Sequence, residues 1–132
     1  MNRLIAFLLV IMVAAGCATK DEKARTNIAQ TWRISKVFQN GNDVTSSYTS
    51  SRIDYRLNYS NNGGFTESYY PFSGASQITN AGTWYFSDGV NKVSMEDNNQ
   101  SRIYEVDLLD EDHYNITDLG SSNQRQIEFI PD

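Results

Sequence analysis

Hydrophobic and polar residues alternate along most of the chain from residue 27 onward, and Gly, Asn, Asp and Ser interrupt the alternation at short intervals. A period of two is typical of β-strands that bury one face, because successive side chains point to opposite sides of a strand. Long stretches with helical periodicity are missing after residue 27. The pattern predicts eight strands: 31–38, 52–59, 65–70, 82–87, 92–96, 102–109, 113–119 and 125–130.

The spacing of these strands indicates how they are arranged. Short strands separated by turn residues are typical of a sandwich or barrel. The strands follow one another without a long crossover, which favours an up-and-down meander. We therefore predict an all-β domain in which eight antiparallel strands form an up-and-down barrel.

Three of the hairpins can be closed so that apolar residues mostly face apolar residues across the pair. The loop between the fourth and fifth strands is then Asp-Gly-Val-Asn at 88–91, which has favourable turn chemistry. The loop between the sixth and seventh strands is 110–112. The predicted partners are Trp84 with Met95, Phe86 with Val93, Val106 with Ile116, Leu108 with Tyr114, Ile116 with Ile127, and Asp118 with Arg125.

The facing of strand 65–70 stays open, because two turns fit the preceding Asn62-Gly63 pair. A two-residue turn would place Thr66, Ser68 and Tyr70 inside. A three-residue bulged loop would instead place Phe65, Glu67 and Tyr69 inside. The second arrangement buries a carboxylate, which then requires a partner.

The N-terminal segment has a different pattern. Arg3 is followed by an unbroken apolar run from Leu4 to Ala15, and small residues then lead to Cys17. This order is typical of a secretory signal with a small-residue cleavage site. The run is too short to span a bilayer, which takes about 20 residues. Cys17 is the only cysteine, so the chain cannot form an internal disulfide.

Ala14-Ala15-Gly16-Cys17 resembles the lipobox of bacterial lipoproteins. The resemblance implies that 1–16 is a removed signal peptide and that Cys17 is lipidated. It also implies that 17–26 is a polar tether to the membrane and that 27–132 is the folded domain. Ala18 stands where an aspartate would resemble an inner-membrane retention signal, so we expect the outer membrane. Lys20-Asp21-Glu22 resembles a short tag for display on the cell surface.

The net charge of the chain and its lack of catalytic motifs exclude several classes of function. The formal net charge is −5, so a basic surface for nucleic acid is absent. His113 is the only histidine, and no nucleophile motif accompanies it. The sequence also lacks a phosphate loop, zinc-ligand spacing and a dinucleotide fingerprint. We predict a protein that is not an enzyme, without catalytic residues, metal ligands or cofactor.

The domain itself resembles the lipocalin-like domains of small bacterial lipoproteins. The resemblance lies in Trp32 within Thr31-Trp32-Arg33-Ile34-Ser35, in the following Asn40-Gly41-Asn42-Asp43-Val44-Thr45, and in Gly82-Thr83-Trp84. It implies a lipocalin-like barrel with one open end. Sequential connectivity puts the long segments 39–51 and 71–81 at that end, and the acidic turns and the tether at the other.

Two hypotheses for function follow. The barrel binds a small apolar or amphipathic ligand at its open end, or it is filled and docks to another protein of an outer-membrane assembly. An eight-stranded barrel is only just wide enough for its own side chains or one small ligand. An empty cavity of about 300 Å³ or more at the open end would favour binding, and a packed interior would favour docking. The predicted ligand-binding residues are Tyr48, Phe72, Trp84, Tyr104, Asp118 and Arg125.

Overall fold

The structure is a computed structural model that describes residues 19–98, 100–120 and 122–132. Cys17 and the predicted signal peptide lie outside the described residues. Within the described part of the chain, no helix has the length and apolar character needed to cross a membrane. The elements in chain order are α1 (Lys20–Ile28), β1 (Thr31–Gln39), β2 (Asn42–Asp43), α2 (Thr45–Thr49), β3 (Ile53–Tyr59), β4 (Gly64–Tyr70), β5 (Ile78–Ser87), β6 (Lys92–Asp97), β7 (Ser101–Leu109), β8 (Tyr114–Asp118) and β9 (Arg125–Pro131).

The strands form a closed antiparallel barrel, which confirms the predicted fold. β3 to β9 follow one another in sheet order, β1 pairs with β3, and a further pairing of β1 with β9 closes the barrel. The two-residue strand β2 only extends β1 at one end, so the wall consists of the eight predicted strands. The largest change in bounds is in β5, which begins at Ile78 because it pairs there with Tyr69.

The predicted registers are confirmed where turn chemistry and alternation agree. Trp84 faces Met95 and Phe86 faces Val93 in β5–β6, and Ile116 faces Ile127 in β8–β9. Asp118 also faces Arg125, as expected.

The predicted pairing of Leu108 with Tyr114 is wrong. The register of β7–β8 shifts between Val106 and Leu108, so that Leu109 faces Tyr114 and Leu108 faces Asn115. A bulge adds one residue to one strand, and one added residue reverses which face the following side chains occupy. Leu108 therefore points outward and is 43% exposed. The Val106–Ile116 pairing is as predicted.

Strand β4 adopts the second of the two predicted arrangements. Tyr59 faces Phe65, and the amide of Ser60 donates to the carbonyl of Gly64 at 2.8 Å. These pairings leave a three-residue loop at 61–63. Phe65 and Glu67 are consequently both buried inside the barrel.

Residues 20–28, which lie mostly within the predicted tether, form the helix α1. The Thr19 side chain caps the Glu22 amide, and the Glu22 carboxylate accepts from the Thr19 amide, which together make a capping box. Ala24 and Ile28 are buried on one face, and the indole of Trp32 donates to the Ile28 carbonyl at 2.9 Å. The predicted boundary between the tether (17–26) and the folded domain (27–132) therefore falls within a helix that packs against one end of the barrel.

Aromatic side chains fill the half of the barrel next to α1. The hydroxyls of Tyr59 and Tyr114 lie 3.0 Å apart, and Trp32 packs on Tyr114 with 5.5 Å between ring centroids. Trp84 packs edge-on against Tyr59, and its indole donates to the Ser60 carbonyl at 2.9 Å. This end of the barrel interior is thus closed by packed rings.

Candidate ligand-binding site

A cavity of about 270 Å³ lies in the other half of the barrel, toward the end where β1, β4, β6 and β8 terminate. This is the end at which the sequence predicts an opening. The lining combines apolar side chains of the buried core with arginines, carboxylates and tyrosine hydroxyls. Charged and apolar side chains lie at the same depth, because Glu67 faces Leu57 and Arg102 faces Met95 in the sheet. The apolar lining residues are Leu57, Met95, Ile116, Ile127 and Phe129.

A buried ion pair crosses the cavity wall. The guanidinium of Arg102 on β7 donates from both terminal nitrogens to the two carboxylate oxygens of Glu67 on β4, at 3.2 and 3.3 Å. The Tyr55 hydroxyl donates to the same carboxylate at 2.6 Å, and the Asn80 amide donates to it at 3.1 Å. Arg102 also lies 3.9 Å from the Asp97 carboxylate. The carboxylate that strand β4 buries therefore has four hydrogen bonds and a cationic partner.

These contacts fix the protonation states inside the cavity. Burial alone would raise the pKa of Glu67, but the Arg102 charge and the hydrogen bonds from Tyr55, Arg102 and Asn80 outweigh it, so the pKa is lowered. Burial raises the pKa of Tyr104 to about 12 and raises that of Tyr48 as well. At neutral pH the cavity therefore presents a carboxylate–guanidinium pair and neutral phenols.

Tyr48 sits over the outer part of the cavity, on the short helix α2. The Asp43 carboxylate accepts from the amide and hydroxyl of Thr45 at 2.9 and 2.6 Å, and the Thr45 hydroxyl accepts from the Val37 amide at 2.9 Å. These bonds attach the start of α2 to β1. The centroid of the Tyr48 ring lies 4.1 Å from the guanidinium carbon of Arg52 and 5.2 Å from the guanidinium carbon of Arg125.

Arg125 differs from Arg102 in having no anionic partner within the described part of the chain. Its Nε is buried without a hydrogen-bond partner, and the same holds for Nε of Arg102. Asp118 lies opposite Arg125 in the β8–β9 register, yet its carboxylate accepts from the Gly120 amide at 2.8 Å. Among the described residues, no ion pair joins Asp118 to Arg125. The two residues therefore do not form the pair that would close the barrel rim.

Comparisons with known proteins address the fold. No family model matches the chain, and no curated protein matches it. Among solved structures, the chain is similar to a lipocalin-like protein from Bacteroides uniformis, with a TM-score of 0.59 and 12% identity. The match covers 80% of this chain and 99% of that protein. The barrel is lipocalin-like.

The lipocalin-like barrel brings together some of the predicted ligand-binding residues and separates others. Tyr48, Tyr104, Asp118 and Arg125 line the cavity. Phe72 lies on the β4–β5 connection, is 64% exposed and does not line the cavity. Trp84 does not line it either, because it is packed among rings in the closed half of the barrel and is only 3% exposed.

Sequence reasoning also missed cavity residues. Arg102 could have been found, since it shares the inward face of its strand with Tyr104 and Val106. Glu67 faces inward in one of the two arrangements that the sequence left open for strand 65–70. Arg52, which stacks on Tyr48, begins the predicted strand 52–59, and alternation with Tyr55 and Leu57 assigns it to the outer face. The register shift between Ile53 and Arg56 breaks that alternation. The other missed lining residues are Tyr55, Tyr69, Asn80 and Gln100.

Proposed function

We propose that the lipocalin-like barrel binds one small amphipathic molecule in this cavity. The observation that carries the proposal is a cavity whose lining combines five apolar core side chains with arginines, carboxylates and tyrosine hydroxyls. Ligand pockets commonly combine apolar walls with a few convergent polar groups that set the orientation of the ligand. The open space favours ligand binding over a filled barrel that acts only by docking.

The volume limits the size of the ligand. Small-molecule pockets commonly begin at about 300 Å³, and this cavity of about 270 Å³ lies just below that value. A short acyl chain or a single substituted ring fits this space, whereas a long-chain lipid or a large polycyclic cofactor exceeds it. The ligand should therefore be a small metabolite with one apolar part and one polar part.

We also propose that the protein works as an outer-membrane lipoprotein. The lipobox-like segment ending in Cys17 supports a lipid anchor on the N-terminal side of α1. α1 packs at the closed end of the barrel, so an anchor preceding it favours an opening that faces away from the membrane. In this arrangement the cavity is accessible to molecules that diffuse past the membrane surface or are delivered by an envelope protein.

The test is a titration of the purified domain with octanoate and with 1-octanol, followed by NMR chemical shifts. We expect at least one of them to perturb the cavity-lining residues at submillimolar to millimolar concentration. Tyr48→Ala should weaken binding about fivefold, since a well-placed ring contact is worth about 1 kcal/mol. Phe72→Ala removes an aromatic ring outside the cavity and should leave binding unchanged.

The proposal fails if neither compound perturbs the cavity lining. It also fails if Phe72→Ala weakens binding and Tyr48→Ala does not, because the ligand would then bind to the loop surface outside the barrel.

A further inference from the structure

We propose that the cavity selects a small monocarboxylate and that Arg125 binds its carboxylate. This inference rests on the proposed function and specifies the chemical class of the ligand. It starts from the contrast between the two arginines of the inner wall. Arg102 is bound by Glu67 through two hydrogen bonds and lies near Asp97, whereas Arg125 has no carboxylate partner among the residues that the structure describes.

Among the described residues, no carboxylate forms an ion pair with Arg125. Its Nε is buried and has no hydrogen-bond partner there. Its guanidinium carbon lies 5.2 Å from the centroid of the Tyr48 ring. Leaving a buried donor without an acceptor costs free energy, so this nitrogen points to an absent acceptor, and the positive charge of the guanidinium favours an anionic one.

Asp118 does not supply that anion. It lines the same cavity and lies opposite Arg125 in the backbone register, but its carboxylate is hydrogen-bonded to the Gly120 amide. A structural pair would be expected to close at this position, because the two residues are direct cross-strand neighbours. The guanidinium instead stays under the Tyr48 ring.

The local charge balance indicates the charge of the ligand. The charged side chains that line the cavity sum to a formal charge of +1, from Arg52, Arg102 and Arg125 against Glu67 and Asp118. One negative charge neutralises this excess. Asp118 would repel a second one. A guanidinium fork accepts a carboxylate through two parallel hydrogen bonds, which favours a carboxylate over other monoanions.

The apolar lining determines the rest of the ligand. A carboxylate held at Arg125 places its substituent toward Ile127 and Phe129, which follow Arg125 on the same face of β9 and line the cavity. A short aliphatic or aromatic substituent would fill this space. The ligand class is therefore a small monocarboxylate with an apolar body.

The experiment compares octanoate with 1-octanol, which have the same chain length and differ in charge. We expect octanoate to bind the wild-type protein at least tenfold more tightly than 1-octanol. Arg125→Gln should weaken octanoate binding about 10- to 100-fold, the usual range for a hydrogen bond to a charged group. It should leave 1-octanol binding nearly unchanged. Arg33→Gln removes a charge from the exposed outer side of β1 and should change neither affinity.

The outcomes separate this inference from the proposed function. If 1-octanol binds in the cavity as tightly as octanoate, the carboxylate selectivity is wrong and the binding function stands. An equal loss of both affinities in Arg125→Gln would also overturn the role of Arg125. If neither compound binds in the cavity, the proposed function itself fails. The comparison of octanoate with 1-octanol uses only the wild-type protein. It therefore tests the carboxylate selectivity even if the Arg125→Gln variant does not fold.

Discussion

At the scale of single residues, Glu67 marks the limit of what alternation can predict. The sequence allowed two facings for strand β4, and only one of them buries a carboxylate. That facing is adopted because the carboxylate meets Arg102, Tyr55 and Asn80, which offset the cost of its burial. Alternation assigns a residue to the inside of a barrel, but it does not reveal which inward residues of distant strands will meet.

The ionised state of Glu67 leads to a prediction about pH. Because its pKa is lowered in the folded protein, its contribution to the free energy of unfolding is present above the unfolded value of about 4.3. The contribution is lost as the pH falls through the lower folded pKa. Glu67→Gln should therefore cost about 2–3 kcal/mol at pH 7, since Arg102 loses its main partner. The variant should also lose less stability than the wild type on acidification below pH 4.3.

Urea unfolding at pH 7 and across the acidic range measures both effects. Glu105→Gln is the matched control, because Glu105 is an exposed carboxylate on β7, the strand that carries Arg102. If both variants keep the wild-type dependence on pH, the Glu67–Arg102 pair does not contribute to acid sensitivity.

At the scale of elements, prediction succeeded where two independent signals agreed. The β5–β6 register follows from both the alternation and the Asp-Gly-Val-Asn turn at 88–91, and it is correct. The β7–β8 register failed at a bulge, which no alternation pattern reveals in advance. α1 was missed because only Ala24 and Ile28 form its apolar face, although Thr19 and Glu22 have capping-box spacing.

The packing of α1 gives a second prediction of stability. Ile28 is fully buried among the rings of the closed end, so Ile28→Ala should cost about 2–4 kcal/mol of unfolding free energy. Lys23→Ala changes an exposed residue of the same helix and should cost less than about 0.5 kcal/mol. Urea melts of the two variants provide the measurement. A loss below about 1 kcal/mol for Ile28→Ala would mean that α1 is detached from the barrel in solution.

At the scale of the whole molecule, the barrel was predictable and the cavity was not. Eight regularly spaced strands with short connections leave few topologies, and the closed antiparallel meander is one of them. Whether such a barrel is filled depends on how individual side chains pack across it. Trp84 shows the difficulty, since the residue faces inward as predicted but lies in the closed half rather than at the cavity.

The proposed anchor leads to the last prediction, which concerns the molecule in its membrane. Connectivity places α1 at the end opposite the cavity, so an acyl chain on Cys17 would hold the closed end toward the bilayer. Cys17→Ala removes the sulfur that carries the lipid, and a single polar helix cannot replace that anchor. In a bacterium that processes lipoproteins, the variant should lose palmitate labelling and leave the membrane fraction.

Two controls make this test specific. Ala18→Ser exchanges one small residue for another beside Cys17 and should keep both the label and the membrane location. Purified Cys17→Ala should also melt like a protein that starts at residue 18, because Ala24 of α1 is the first buried residue in the described part of the chain. A Cys17→Ala protein that still carries label and sediments with the membrane would refute lipidation at this cysteine. The inferred outward direction of the cavity would then lose its support, since that direction depends on an anchor preceding α1.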